Sequence, residues 1–268
     1  MKHLGNMDEV SVSFDIPDTR TVDEKGKKDI LIKTTGNEKY NFTVILTVTA
    51  DGKKCKPMVI FKRLTMPKEN FPKGIIVEVN KNGWSNSEIM KKWIQKIWIK
   101  RNDSFFKPKS LLIYDSARCH LTEEVKNEVK KYSELAVIPG GLTKSLQPLD
   151  LSVNKSFKSK LKIHWENWII NGCHIYNKTG KIKRATYSEI CDWIVKSWED
   201  VTPQCIKNGF KKAGIQTYDE NIEGDDDSEI ETGSEDKDLQ EIQTEFLHIF
   251  ETFEIIDDED FDGFEEIE

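Results

Sequence analysis

The sequence predicts an α/β domain in which a mixed central sheet is flanked by helices and followed by a helical C-terminal portion. Three observations support this. The first 80 residues contain strand-like segments, and from about residue 86 the apolar residues recur at helical spacing. Short, wholly apolar runs then alternate with these helical segments, which favours parallel strands buried within a sheet.

The N-terminal third is predicted to form strands. The segment NMDEVSVSF at 6–14 is the first strand-like run, and the alternating residues of 41–62 form a hairpin that turns at Asp51-Gly52. The apolar Ile45 falls on the second face of that hairpin, so we expect the strand to be covered on both sides. The segment GIIVEV at 74–79 is a further strand candidate.

The middle of the chain alternates helices with buried strands. An amphipathic helix is predicted over about 86–100, with Ser87 as its N-cap. The apolar run SLLIY at 110–114 predicts a central strand. A charged helix follows over about 122–132, and LAVI at 135–138 predicts a further buried strand.

The C-terminal part of the predicted domain is helical. A long helix is expected from about Asp150. Thr186 and Glu189 have the spacing of a capping box at the start of a second helix. Thr202-Pro203 begins a third helix, and Gly214 ends it.

The charge of the chain is divided sharply at Asp219. The 268 residues carry a formal net charge of −7, but residues 219–268 contain 23 acidic residues and one basic residue. The first 218 residues therefore have a net charge of +15. We expect a basic domain over 1–218 that attracts nucleic acid, and a disordered acidic tail over 219–268.

Composition also argues against several classes of protein. No apolar run approaches the roughly 20 residues that span a bilayer, so we expect no membrane association. The five cysteines are scattered and form no Cys-x-x-Cys pair, which disfavours a zinc finger or a disulfide scaffold and favours a reducing compartment.

Three aspartates stand out by their position. Asp115 directly follows the apolar run SLLIY, Asp150 begins a long helix, and Asp8 lies in the first strand-like segment. If these positions converge, three carboxylates share one pocket, where their repulsion favours binding of a hard divalent cation. From the residues alone, structural roles are favoured over metal binding, with Asp8 and Asp115 as turn residues and Asp150 as an ordinary helix cap.

Several motifs carry a resemblance to a known family. They are NMDE, FDIPDTRTVDEKGKKDI, TTGNEKYNFTVILTVTADG, PMVIFKRLTMPK, LLIYDSARCHLTEEV, LAVIPGGLTKSLQPLDLSVNKSFK and FKKAGI. In this order and spacing, over nearly all of 6–215, they resemble the DDE superfamily endonuclease domain of pogo/Tigger-type transposases. Jerky-like and centromere-protein-B-like transposase-derived proteins share this domain.

The resemblance implies an RNase H-like fold and a metal-dependent nuclease. The three acidic positions of the family correspond to Asp8, Asp115 and Asp150, which would bind two Mg²⁺ or Mn²⁺ ions. The implied reaction is phosphodiester hydrolysis and strand transfer on DNA. His120 and Gln147 are auxiliary candidates, the first to position a phosphate or a water and the second to orient substrate. A structural role is at least as well supported for each.

The sequence departs from the family at its N-terminus. Members normally carry an N-terminal helix-turn-helix region that reads DNA, whereas seven residues precede Asp8 here. We therefore keep an alternative function open, in which a domesticated, non-catalytic protein retains the fold and binds DNA or chromatin.

Partners and location follow from charge and resemblance. We expect DNA contacts from a subset of the basic residues and a nuclear location. The acidic, phenylalanine-containing tail is open to three interpretations: it binds a protein partner, it competes with DNA for the basic domain, or it only keeps the chain in solution. The residues proposed for DNA contact are Lys155, Lys158, Lys160, Lys162, Lys181, Lys183 and Arg184.

Overall fold

A computed structural model describes residues 3–18, 33–101 and 110–215, together with Leu247. Its centre is a six-stranded sheet in the order β4-β3-β2-β1-β5-β6. The strands are β1 Leu4–Ser13, β2 Asn41–Thr49, β3 Met58–Lys62, β4 Ile76–Asn80, β5 Ser110–Asp115 and β6 Ser133–Ile138.

The sheet is mixed, as predicted. Strands β1, β2 and β3 pair antiparallel, and β5 runs parallel to both β1 and β6, while β4 runs parallel to β3. The predicted hairpin is confirmed, and β2 is buried from Phe42 to Thr49, so that Ile45 faces a second layer. The two layers of helices on this sheet produce that double burial.

One face of the sheet is covered by α1, Ser87–Trp93, and by α2, Glu123–Lys130. The first helix continues as a π-helical turn over Ile94–Trp98. The N-cap is Asn86, whose side chain accepts a hydrogen bond from the amide of Ile89, so the prediction of Ser87 was wrong by one residue. Both residue types are good caps, and sequence alone does not rank them.

The opposite face is covered by the C-terminal helices. They are α3 Thr143–Leu146, a π-helical turn Leu149–Val153, α4 Asn154–Asn171, α5 Tyr187–Glu199 and α6 Pro203–Lys212. The capping box of Thr186 and Glu189 is confirmed, since each side chain accepts a hydrogen bond from the other residue's backbone amide. Gly214, at φ +77°, follows the end of α6 in the left-handed conformation that glycine favours.

The acidic tail lies outside the described residues, apart from Leu247, which packs against the core next to Gly214. The domain boundary at residue 218 therefore stays a prediction. Among the described residues, no helix is both long enough and apolar enough to cross a membrane.

Candidate active site

The pairing of β1 with β5 brings the first two aspartates together. Asn6 lies opposite Ile113 at the last paired position of the parallel register, and Asp8 and Asp115 each follow two residues further along their strands. Because side chains alternate along a strand, Asp8 lies on the same face as Asn6, towards α4. Asp115 ends β5, as predicted, whereas Asp8 lies within β1 and not at the end of a strand.

The third aspartate is placed by a buried amide network. The side chain of Asn6 donates to Gln147 Oε1 at 3.0 Å, and Gln147 Nε2 donates to the carbonyl of Met7 at 3.1 Å. Asn6 Oδ1 also accepts a hydrogen bond from the amide of Leu149. This network ties the segment that precedes Asp150 to the strand that carries Asp8.

Gln147 is fully buried, and both ends of its amide are hydrogen-bonded to β1. The contacts are those of a residue that stabilises the loop. A role in orienting substrate stays a prediction, and these contacts do not favour it.

Asn154 joins two of the candidate catalytic carboxylates directly. Its Nδ2 donates to Asp8 Oδ2 at 2.6 Å and to Asp150 Oδ1 at 2.7 Å. The residue is 7% exposed, while its Oδ1 is buried and has no hydrogen-bond partner in the part of the chain that the structure describes. Sequence reasoning missed this residue, although its spacing of four from Asp150 places the two on one helical face.

The proximity of the carboxylates perturbs Asp8. Burial, then the negative charge of Asp150 and, to a smaller extent, that of Asp115 together raise the pKa of Asp8 to about 7. The hydrogen bonds from Asn154 and from the amide of Glu9 oppose this effect only in part. The expected repulsion among the three carboxylates is thus present at Asp8.

His120 is buried next to Asp115 and lies between two acidic residues. Its Nδ1 is 2.7 Å from Asp115 Oδ1, its Nε2 is 2.9 Å from Glu9 Oε1, and the residue is 1% exposed. Although burial lowers the pKa of His120, hydrogen bonds from the ring, the first to Asp115, raise it to about 12. Burial in turn raises the pKa of Asp115, but the hydrogen bond and charge of the imidazolium hold that pKa below its usual value. We infer that His120 orients the carboxylate of Asp115 and keeps it ionised.

Glu9, Cys119 and His120 form a small cluster of groups that can bind metals, with ligand atoms that all lie within 4.8 Å of one another. Cys119 is 3.8 Å from Glu9 Oε1. Both nitrogens of His120 are hydrogen-bonded to carboxylates. These bonds favour a role for His120 in holding Asp115 over a role as a metal ligand.

The basic residues proposed for DNA contact are spread over two regions. Lys155 and Lys158 are exposed on α4, one and four residues beyond Asn154, whereas Lys160 and Lys162 are partly buried. Lys162 forms ion pairs with Asp18 and Glu166.

The remaining candidates lie between α4 and α5. Lys181 and Lys183 are exposed, and the guanidinium of Arg184 stacks over Phe14 and Tyr187 at 4.0 and 4.5 Å from the ring centres.

The donor groups fit a hard divalent cation. Asp8, Asp115 and Asp150 offer carboxylate oxygens, and the amide of Asn154 offers a carbonyl oxygen with no hydrogen-bond partner within residues 3–18, 33–101, 110–215 and 247. Oxygen ligands of these two kinds suit Mg²⁺ and Mn²⁺. The excess negative charge at Asp8 is the feature that such a cation would relieve.

Solved structures with a similar fold include complexes of the Mos1 transposase. The chain is similar to the Mos1 strand transfer complex, with a TM-score of 0.52, and to the Mos1 mariner paired end complex with Mn, with a TM-score of 0.50. In each case the identity is 11%, and the match covers 79% of this chain and 52% of the other. At this identity the similarity defines the fold, which is RNase H-like, as the resemblance implied.

Comparison of sequences then identifies the family. Residues 39–210 match the DDE superfamily endonuclease family, a range that includes Asp115 and Asp150 and begins after Asp8. The chain belongs to this family.

Two curated relatives are similar over most of this chain. The human protein "Pogo transposable element with KRAB domain" is 33% identical over 233 residues, and the mouse protein of that name is 34% identical over 229 residues. The matches cover 87% and 85% of this chain. The chain spans 38% of the length of each of these relatives.

Proposed function

We propose that this chain is a catalytic DDE domain that binds DNA and uses two divalent cations to hydrolyse and transfer phosphodiester bonds. One observation carries the proposal. Asp8, Asp115 and Asp150 come from three separate parts of the chain and converge on one face of the sheet, where burial and mutual repulsion hold the pKa of Asp8 near 7. Asp115 is paired with His120, whereas Asp8 has no basic partner among the described residues and accepts hydrogen bonds from Asn154 and a backbone amide.

The side chains of the site would have different roles. Asp8 and Asp115 would hold the cations between them, and Asp150 would complete the second set of ligands. Two cations so placed would activate the attacking water or 3′-hydroxyl and stabilise the leaving oxygen. His120 would keep Asp115 ionised and oriented through its bond to Oδ1. No nucleophile from the protein is required.

DNA would approach along α4. Asp150, Asn154 and Lys158 are spaced by four residues, so they follow one row along the helix and lead from the carboxylates to exposed positive charge. Lys155 lies beside this row. Contacts with phosphate from such residues position a duplex without reading its sequence. A protein that acts on DNA in this way would be nuclear in a eukaryotic cell.

A plasmid nicking assay tests the proposal. Purified full-length chain is incubated with supercoiled plasmid and Mg²⁺ or Mn²⁺, and the relaxed form is quantified. We expect metal-dependent nicking that Asp115→Ala reduces at least about 10³-fold, since loss of a cation site removes several kcal/mol of transition-state stabilisation.

A matched control separates catalysis from a general change of charge. Asp192→Ala removes an aspartate that is 47% exposed and paired with Lys196 on α5, and it should nick as the unaltered chain does. DNA binding without nicking, unchanged by Asp115→Ala, would contradict the proposal and would support the alternative of a domesticated DNA-binding protein.

A further inference from the structure

The hydrogen bonds of Asn154 differ from those of an ordinary structural asparagine. Its Nδ2 donates hydrogen bonds to Asp8 and Asp150 at N···O distances of 2.6 and 2.7 Å, and Oδ1 is buried without a hydrogen-bond partner among the described residues. An unpaired buried carbonyl oxygen destabilises the fold, because it has lost its hydrogen bonds to water and gained none in exchange. The hydrogen bonds therefore satisfy one half of the amide and leave the other half unsatisfied.

The amide group also leaves the charge of the site uncompensated. A neutral NH₂ group bridges two carboxylates, but it does not neutralise their charge. A cation placed between Asp8 and Asp150 would compete with Nδ2 for the same carboxylate oxygens. The two halves of an asparagine amide are nearly equal in shape, so rotation about the terminal bond exchanges NH₂ for a carbonyl oxygen at little steric cost.

We infer that Asn154 is a further ligand of the cation site, which holds Asp8 and Asp150 together through Nδ2 without metal and turns Oδ1 to the cation when it binds. This inference rests on the proposed function, because it needs the three aspartates to bind metal. The exchange would give the unpaired oxygen a partner and would release both carboxylates to the cation. A carbonyl oxygen of an amide is an accepted ligand for hard divalent cations.

Two substitutions at one position distinguish a ligand from a simple donor. Asn154→Leu keeps the approximate volume and removes both functions, so Mn²⁺ should bind roughly 10- to 100-fold more weakly. Asn154→Asp removes the donor but keeps an oxygen where Oδ1 would be, so it should bind Mn²⁺ at least as tightly as the unaltered chain. If Asn154 acts only as a donor that the cation displaces, the leucine variant should bind Mn²⁺ at least as tightly as the unaltered chain.

The measurement is the Mn²⁺ electron paramagnetic resonance signal, which reports free ion during titration of the full chain. Weak binding by the acidic tail is defined with Asp115→Asn/Asp150→Asn and subtracted. The matched control is Asn171→Asp, which makes the same chemical change at the exposed end of α4 and should leave the affinity unchanged. Circular dichroism establishes that each variant is folded.

The outcomes separate this inference from the proposed function. Unaltered protein that binds no Mn²⁺ above the background of the double variant would overturn both. Binding by the unaltered protein that Asn154→Leu does not weaken, or that Asn154→Asp weakens as much as leucine does, would overturn only the role of Asn154. If the leucine variant does not fold, Asn154→Ala, which also removes both the donor and the carbonyl oxygen, takes its place.

Discussion

Two buried aspartates on the same stretch of chain have opposite surroundings. Asp15, just after β1, is 1% exposed and accepts hydrogen bonds from the amides of Thr35 and Asn37, from the hydroxyl of Thr35 and from the indole of Trp165. Its carboxylate has several donors and joins two parts of the fold.

Asp8, seven residues earlier, is 7% exposed and accepts one backbone and one side-chain hydrogen bond. It also lies close enough to Asp150 and Asp115 for both to raise its pKa. Folding has satisfied Asp15 and has left Asp8 in an unfavourable environment. Incomplete satisfaction of this kind is expected where the structure serves a ligand and not stability.

The largest expected effect is at Asp15. Asp15→Ala leaves buried donors from three residues without an acceptor, so the free energy of unfolding should fall by about 3–6 kcal/mol. Chemical denaturation followed by circular dichroism measures this loss. A decrease below about 1 kcal/mol would show that Asp15 is not the satisfied structural group that the hydrogen bonds indicate.

Substitution of Asp8 should change the free energy of unfolding in the opposite direction, and it should do so above pH 7. A carboxyl whose pKa rises on folding contributes stability below its unfolded pKa of 3.8, and that contribution is lost as pH rises towards about 7. Metal-free Asp8→Asn lacks this loss, so at pH 8 it should be about 2–4 kcal/mol more stable relative to the unaltered chain than at pH 4. Parallel pH dependences for the two proteins would contradict the raised pKa.

The exposed lysines beyond the site should affect affinity but not stability. Lys155→Ala/Lys158→Ala should weaken duplex binding roughly tenfold and reduce the slope of log K against log salt by about 1 for each phosphate that the variant no longer neutralises. Fluorescence anisotropy over a range of salt concentrations measures both.

The matched control for these lysines is Lys56→Ala/Lys100→Ala. It removes two exposed lysines that line a basic pocket of about 250 Å³ beside Thr49, at the N-terminal end of β1 and away from Asp115. If the control weakens binding as much as the α4 pair does, DNA does not follow α4.

The smallest effect concerns His120, for which no change is expected. With a pKa near 12, the ring should keep both nitrogens protonated from pH 5 to pH 9. Nitrogen chemical shifts of labelled histidine report this state. Titration of His120 near its ordinary pKa of 6.5 would show that its bonds to Asp115 and Glu9 do not hold the proton.

Much of the fold was predictable because its signals are local. The apolar run before Asp115, the turn at Asp51-Gly52 and the capping box of Thr186 and Glu189 each depend on a few adjacent residues. The π-helical turn over Leu149–Val153 was not predicted, because the spacing of apolar residues does not distinguish it from an α-helix over so short a length.

The candidate site was predictable only in part. Asp8, Asp115 and Asp150 were found through position and resemblance, since a carboxylate next to a buried strand is unusual. Asn154 was missed because asparagine is common on helices and its role depends on a contact with Asp8, 146 residues away. The network of Asn6 and Gln147 was missed for the same reason.

The most direct test of the account is the position of Mn²⁺ in crystals of this chain, located by anomalous scattering. The account predicts a peak between the carboxylates of Asp8, Asp115 and Asp150, with ligand oxygens at about the 2.1 Å that is typical of Mg²⁺. A peak only among Glu9, Cys119 and His120, or none on this face of the sheet at saturating Mn²⁺, would contradict it.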